Sequence, residues 1–136
     1  LLPELNLQLR PILLKMKPGT RVVSNSFPMG DWTPDETAFV KDQCSAYCEA
    51  YKWIVPAQVA GVWSMGDRKL ILAQRYQKFS GELHHGDSMT PIREAKLEGT
   101  RISFRVGTQR FVGQVNGNTI HGTANGQPWH ATLTSR

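Results

Sequence analysis

Six glycine-centred turn signals punctuate the second half of the chain, and no other feature constrains the fold as strongly. They are Met65-Gly66-Asp67, His85-Gly86-Asp87, Glu98-Gly99-Thr100, Val106-Gly107-Thr108, Asn116-Gly117-Asn118 and Asn125-Gly126-Gln127. Strand-like runs lie between them: Trp53-Ile54-Val55, then 58–65, 69–79, 82–85, 92–97, 101–106, 110–115, 119–123 and 129–133. An Asn-Gly between alternating runs is a strong hairpin signal, because both central residues of a type I′ turn need positive φ, and Gly117 is expected there. In the run 101–106, Ile102, Phe104 and Val106 point one way, and Ser103 and Arg105 the other. Consecutive hairpins at this spacing predict an antiparallel meander from residue 51 to 136, a curled sheet or small barrel. Ser80-Gly81 reads as a further turn.

Residues 1–50 have a different character. Leu5, Leu9, Ile12, Leu13 and Met16 have helix-compatible spacing, which Leu7 and Pro11 interrupt, so a short helix or two half-helices is expected. Lys17-Pro18-Gly19-Thr20 is a stop-and-turn signal, Arg21 to Phe27 a β-branched strand, and Met29 to Asp35 loop chemistry. Glu36 to Ala50 is compatible with a helix. A helix, a turn and an apolar strand make half of a βαβ unit, and a parallel strand of that kind needs neighbours that this chain does not visibly supply. The chain opens on Leu1, inside an element, which suggests that something upstream completes the sheet.

Composition narrows the classes of function. With 136 residues and 40% hydrophobic side chains, the chain can bury a core. No apolar run approaches the roughly 20 residues of a membrane-spanning helix, and the N-terminal stretch does not read as a signal peptide. A soluble protein is expected, with no membrane partner; composition does not fix its compartment. The net charge of +5 invites a nucleic-acid partner, yet Lys and Arg are dispersed singly along the sequence. Such dispersal weighs against that partner, since folding alone would have to assemble a phosphate-binding surface.

Other chemistry is thinly supported. Cys44 and Cys48, four apart, would share a helical face at about 6 Å between Cβ atoms, too far for an unstrained disulfide, and read as two small buried thiols more readily than as a zinc pair. Adjacent His84 and His85 face opposite sides of a strand, and with His121 and His130 they show no metal-ligand spacing. No Gly-x-Ser-x-Gly elbow presents a nucleophile. Trp53, Trp63 and Trp129 read as core residues in preference to a ligand cage. Neither a metal site nor a catalytic residue is assigned.

The block Leu1-Leu2-Pro3-Glu4-Leu5-Asn6, with Leu9-Arg10-Pro11, Lys17-Pro18-Gly19-Thr20-Arg21-Val22-Val23-Ser24 and Met29-Gly30-Asp31-Trp32, closely resembles a bacterial family of class I S-adenosylmethionine-dependent methyltransferases. The likeness continues through Trp53, Val55-Pro56-Ala57, Ala60-Gly61, Trp63 and Gln74-Arg75-Tyr76-Gln77 into that family's β-rich C-terminal region. The resemblance implies an α+β chain. Residues 1–50 would be the end of a Rossmann-like methyltransferase sheet, with the fourth strand just upstream and Thr20 to Val23 on the fifth, and residues 51–136 an antiparallel β-rich domain. It also implies likeness to lysine methyltransferases of the disruptor-of-silencing type, hence a protein substrate. Where that family commonly has a histidine-aspartate pair, this chain has Asn25-Ser26.

Rim residues of a substrate or cofactor site would then be Glu4, Asn6, Asn25, Ser26, Asp31 and Trp32. For Asp31 and Trp32 a purely structural role as helix cap and core cap stands beside this, and for Glu4 a first-turn carboxylate facing the helix dipole. The parent would use S-adenosylmethionine. This chain has no glycine-rich turn leading from a strand into a helix, so alone it is expected to bind no cofactor and to be inactive. Apolar residues meant for absent neighbours predict a homodimer through the N-terminal segment. The alternative is a stand-alone β-barrel binding module whose mouth takes an apolar ligand or a protein partner.

Overall fold

Every two-residue loop of the β-rich part closes an antiparallel hairpin, and the hairpins follow one another except at Ile92, which joins two strands that do not pair. A computed structural model describes residues 3–39 and 49–136. The chain divides into two compact units, Leu1–Val55 and Pro56–Arg136.

The first unit starts with helix α1 (Pro3–Leu14), which runs continuously through Pro11. Strand β1 (Arg21–Asn25) follows, then β2 (Glu36–Phe39) and β3 (Glu49–Ile54). They form a three-stranded sheet in the order β1-β3-β2, and β3 runs antiparallel to both neighbours. Two expectations are corrected here. The strand at Arg21 does have a partner within the chain, and that partner is antiparallel; the residues around Glu36 and Glu49 to Ala50 are strand, not helix. Thr37, Phe39, Tyr51 and Trp53 are β-branched or aromatic, and cross-strand pairing of β3 with β1 and with β2 rewards them in a way that helical periodicity does not. The thiol positions Cys44 and Cys48 lie outside the described residues, as do Leu1 and Leu2.

Trp53 is the centre of this unit. It is fully buried, its ring 6.0 Å from that of Trp32 and 5.9 Å from that of Tyr51, and its Nε1 donates to the Trp32 carbonyl at 2.7 Å.

The second unit holds a nine-stranded sheet. Its strands are β4 (Gly61–Met65), β5 (Arg68–Arg75), β6 (Lys78–His85), β7 (Ser88–Pro91), β8 (Arg93–Glu98), β9 (Arg101–Val106), β10 (Gln109–Asn116), β11 (Thr119–Ala124) and β12 (Gln127–Ser135). The order β7-β6-β5-β4-β12-β11-β10-β9-β8 joins the last strand to the first and leaves only β7 and β8 as edges, a nearly closed, barrel-like sheet. Ile92, between those edges, donates its N–H to the Gly81 carbonyl at 3.0 Å. The meander expected from the turn signals is therefore present from Gly61 onward, while Trp53 and Ile54, expected to begin it, pair instead with β1 in the three-stranded sheet.

Inward and outward residues alternate as the pleat requires. Phe104 stacks on Phe111 at 5.0 Å between centroids, and both meet the edge of Trp129, at 5.9 and 5.3 Å. Trp63, Leu70, Ile102 and Ile120 complete an interior filled by side chains. Gln74 fastens the irregular entry to the sheet: its Oε1 accepts from the Val59 N–H at 2.7 Å, and its Nε2 donates to the Ala57 carbonyl at 2.9 Å. Trp63 Nε1 donates to the Val59 carbonyl at 2.9 Å. Ala57, Trp63 and Gln74, separated in sequence, thus close one local network.

Loop chemistry departs from expectation in three places. The run 69–79 is broken by a hairpin at Tyr76-Gln77, where Tyr76 takes φ 57°, a turn with no glycine to announce it. Ser80-Gly81 is no turn but the middle of β6, paired with Ala73 and Leu72. Asn116 pairs with Thr119, so the loop is Gly117-Asn118 and positive φ falls on the first position alone, the signature of a type II′ turn in place of type I′. Gly117 has φ 60° with open space where a Cβ would stand. Gly117→Ala is expected to cost about 1 kcal/mol through backbone strain alone, read as a lowered urea midpoint; an unchanged midpoint would contradict the turn.

Candidate functional site

Asn6, on α1, is the buried pivot of the residues singled out in the first unit. Its Nδ2 donates to the Phe27 carbonyl at 2.9 Å, with the Pro28 carbonyl and Ser24 Oγ each at 3.3 Å, while Ser24 Oγ itself donates to the Phe27 carbonyl at 2.8 Å. Asn6 Oδ1 is buried and has no hydrogen-bond donor among the described residues. One helical turn on, Arg10 Nη1 donates to the Met29 carbonyl at 3.1 Å and to Asp31 Oδ1 at 2.9 Å. The helix thereby clasps the segment that leaves β1.

The six rim residues fall into two groups. Asn6, Asp31 and Trp32 belong to this clasp, Trp32 being fully buried against Trp53 and Asp31 exposed on the Arg10 ion pair. Asn25 and Ser26 sit at the carboxyl end of β1, Asn25 exposed, and Ser26 at φ 69° with its N–H on the Glu49 carbonyl at 2.7 Å. A positive φ at a non-glycine residue is strain held by surrounding structure. Glu4 is exposed in the first turn of α1 and makes no hydrogen bond or ion pair among the described residues.

Sequence reasoning overlooked Arg10 and Ser24, although Arg10 is four residues from Asn6 and so on the same helical face. It also overlooked Tyr51, whose hydroxyl donates to Glu49 Oε2 beside the end of β1. The Glu49 carboxylate, by accepting that bond, pushes the Tyr51 phenol above its ordinary value; desolvation and the negative charge of Glu49 act in the same direction. Tyr51 is therefore a hydrogen-bond donor at neutral pH.

The second unit presents a groove of about 320 Å³ on the outside of β8, β9 and β10, lined by Lys96, Glu98, Arg101, Ser103, Arg110 and Val112. None of these was singled out. The histidines do not converge: His84 Nε2 meets Glu82 at 3.1 Å, His85 Nε2 meets Asp67 at 2.9 Å, and His121 stacks on His130 at 5.5 Å between centroids. Among the described residues no three His, Cys, Asp or Glu side chains group as a metal site, and no helix is long and apolar enough to cross a membrane.

The class defined by these observations is an antiparallel, nearly closed barrel-like sheet accompanied by a small three-stranded sheet with one helix. Compared with known proteins, the chain matches no family model, no curated protein and no solved structure.

Proposed function

We propose that this chain is the C-terminal portion of a class I S-adenosylmethionine-dependent methyltransferase with a protein substrate, and that its barrel serves as a recognition module for the acceptor. The observation that carries the reading is the order β1-β3-β2. Since β3 is antiparallel to both neighbours, β1 and β2 run parallel with an inverted strand between them. Doubly wound sheets often end in such an antiparallel element. β1 is then the strand whose outer edge meets the rest of the catalytic sheet. Val23, 69% exposed on it, and Ile12, 62% exposed on α1, are the apolar residues that such a neighbour would cover.

The methyl donor requires a glycine-rich turn from a strand into a helix, with an acidic residue beyond the second strand. In the first unit the turn at Gly19 leads into β1 and the turn at Gly30 leads towards β2, so neither opens a helix. The residues of this chain do not fit the donor, and no step of methyl transfer is assigned to them. Donor binding belongs to the upstream part of the parent. The barrel interior is filled by side chains, which favours recognition by its outer face over the alternative of an apolar ligand in the mouth.

Two measurements on the isolated chain test this reading. Titration calorimetry with S-adenosylmethionine is expected to give no binding heat, and sedimentation equilibrium at tens of micromolar a homodimer, because covering four large apolar side chains at roughly 1.5–3 kcal/mol each offsets the entropic cost of association. Micromolar donor binding, or a monomer throughout, would overturn it.

A further inference from the structure

We infer that the outer face of β8, β9 and β10 binds the phosphodiester backbone of single-stranded nucleic acid. The proposal goes beyond the reading above and does not depend on it. The first unit has six Lys and Arg against six Asp and Glu, whereas the second has ten against five, so the whole net charge of +5 resides on residues 56–136. Register then concentrates it. Arg93 pairs with Arg105, which pairs with Arg110; Lys96 pairs with Ser103, and Ser103 with Val112; Arg101 pairs with Gln114 on one side and on the other with Glu98, a carboxylate that shares the face and leaves it net cationic. Five cations separated by up to 17 positions in sequence thus share one outward face across three strands.

Geometry selects a thin polyanion. Lys96 on β8 and Arg110 on β10 flank the Ser103 and Val112 floor, two strand spacings across and two residues along, about 12 Å apart. Arg101 and Arg105 mark the ends, about 13 Å apart along β9. A recess of that width takes one sugar-phosphate chain and excludes a duplex. Arg105 is engaged by Glu94 at 3.2 Å, while Arg93, Lys96, Arg101 and Arg110 make no ion pair among the described residues. Beyond Arg101 the same cross-strand row continues through Gln114 to His121 and His130, two exposed, stacked imidazole rings. Flat rings beside a cationic track are what unstacked bases use. An acidic peptide would find the cations but gain nothing from the rings.

Fluorescence anisotropy with a labelled twelve-nucleotide strand, as RNA and as DNA, tests the inference on the intact chain. Four phosphate contacts predict a log-log salt slope of about −3, hence roughly fifty-fold weaker binding at 200 mM than at 50 mM salt. Arg101→Glu with Arg110→Glu is expected to weaken binding at least ten-fold with an unchanged melting curve, both side chains being exposed. Lys69→Glu with Lys78→Glu makes the same change in net charge elsewhere on the barrel and is expected to cost less than three-fold. The RNA and DNA arms identify the strand recognised. No binding at 50 µM in 50 mM salt, equal losses in the two double variants, or tighter binding of a hairpin duplex or a poly-glutamate peptide would overturn the proposal.

Discussion

Gly122→Ala is expected to destabilise the barrel by about 3 kcal/mol or more, far beyond the loss at Gly117, because the added methyl has nowhere to go. A Cβ at Gly122 would stand 1.8 Å from the Val112 carbonyl oxygen and 2.5 Å from the Gly113 Cα. Both are backbone, so no side-chain rotation relieves the clash. Gly122 pairs with Gly113 on one side and Trp129 on the other. A Cβ at Gly113 would in turn meet the Trp129 ring at 3.0 Å. The two glycines form a bare seat on which the indole lies, with Nε1 donating to the carbonyls of Val112 and Thr123 at 3.1 Å each. Separating β10 from β11 to admit a methyl group would pull Val112 from that bond and open the Phe104, Phe111 and Trp129 cluster. Urea unfolding followed by tryptophan fluorescence measures it, and a midpoint equal to that of Gly117→Ala would refute the seat.

Trp53→Ala carries the second large effect, an expected loss of about 3–5 kcal/mol in the first unit. Among its described residues that unit has one helix and three strands in which to bury a core, and Trp53 is the ring shared by Trp32 and Tyr51. Truncation leaves a cavity between them and strips the Trp32 carbonyl of its 2.7 Å donor. Trp53→Phe keeps most of the volume and isolates the hydrogen bond, at a cost of about 1 kcal/mol. Hydrogen exchange read separately for residues 3–39 and 61–135 is expected to rise in the first set alone. Equal protection of both sets in Trp53→Ala would show that Trp53 is not the keystone.

The part of the candidate site that could be read from residue order is the part made by local spacing. Asp31 and Trp32 were recognisable in a loop just past a strand end, Trp32 as either a core cap or a ligand contact, whereas Glu4 and Asn6 rested on the family resemblance. Arg10 was legible too, one turn from Asn6. Ser26 was named through the resemblance, but nothing in its identity signals the left-handed backbone that its N–H bond to the Glu49 carbonyl holds in place. The Glu49 and Tyr51 pair was not legible, since it straddles Ala50, where the expected helix ends and the strand-like part begins.

For the fold, sequence by itself determined the number and placement of most hairpins and the side of the sheet each residue takes, because turn chemistry and two-residue alternation act over a few residues. It did not reveal the Tyr76-Gln77 hairpin, where a residue with no turn preference accepts positive φ to satisfy pairing from Arg68 to Lys78 and beyond. Tertiary structure alone decided the pairing of β1 with β3 across more than twenty residues, and of β4 with β12 across about seventy. It also decided which dispersed cations meet. Charges placed singly along a chain carry no mutual signal in one dimension; three strands in register set them one strand spacing apart, and only there does their repulsion become an attraction for a polyanion.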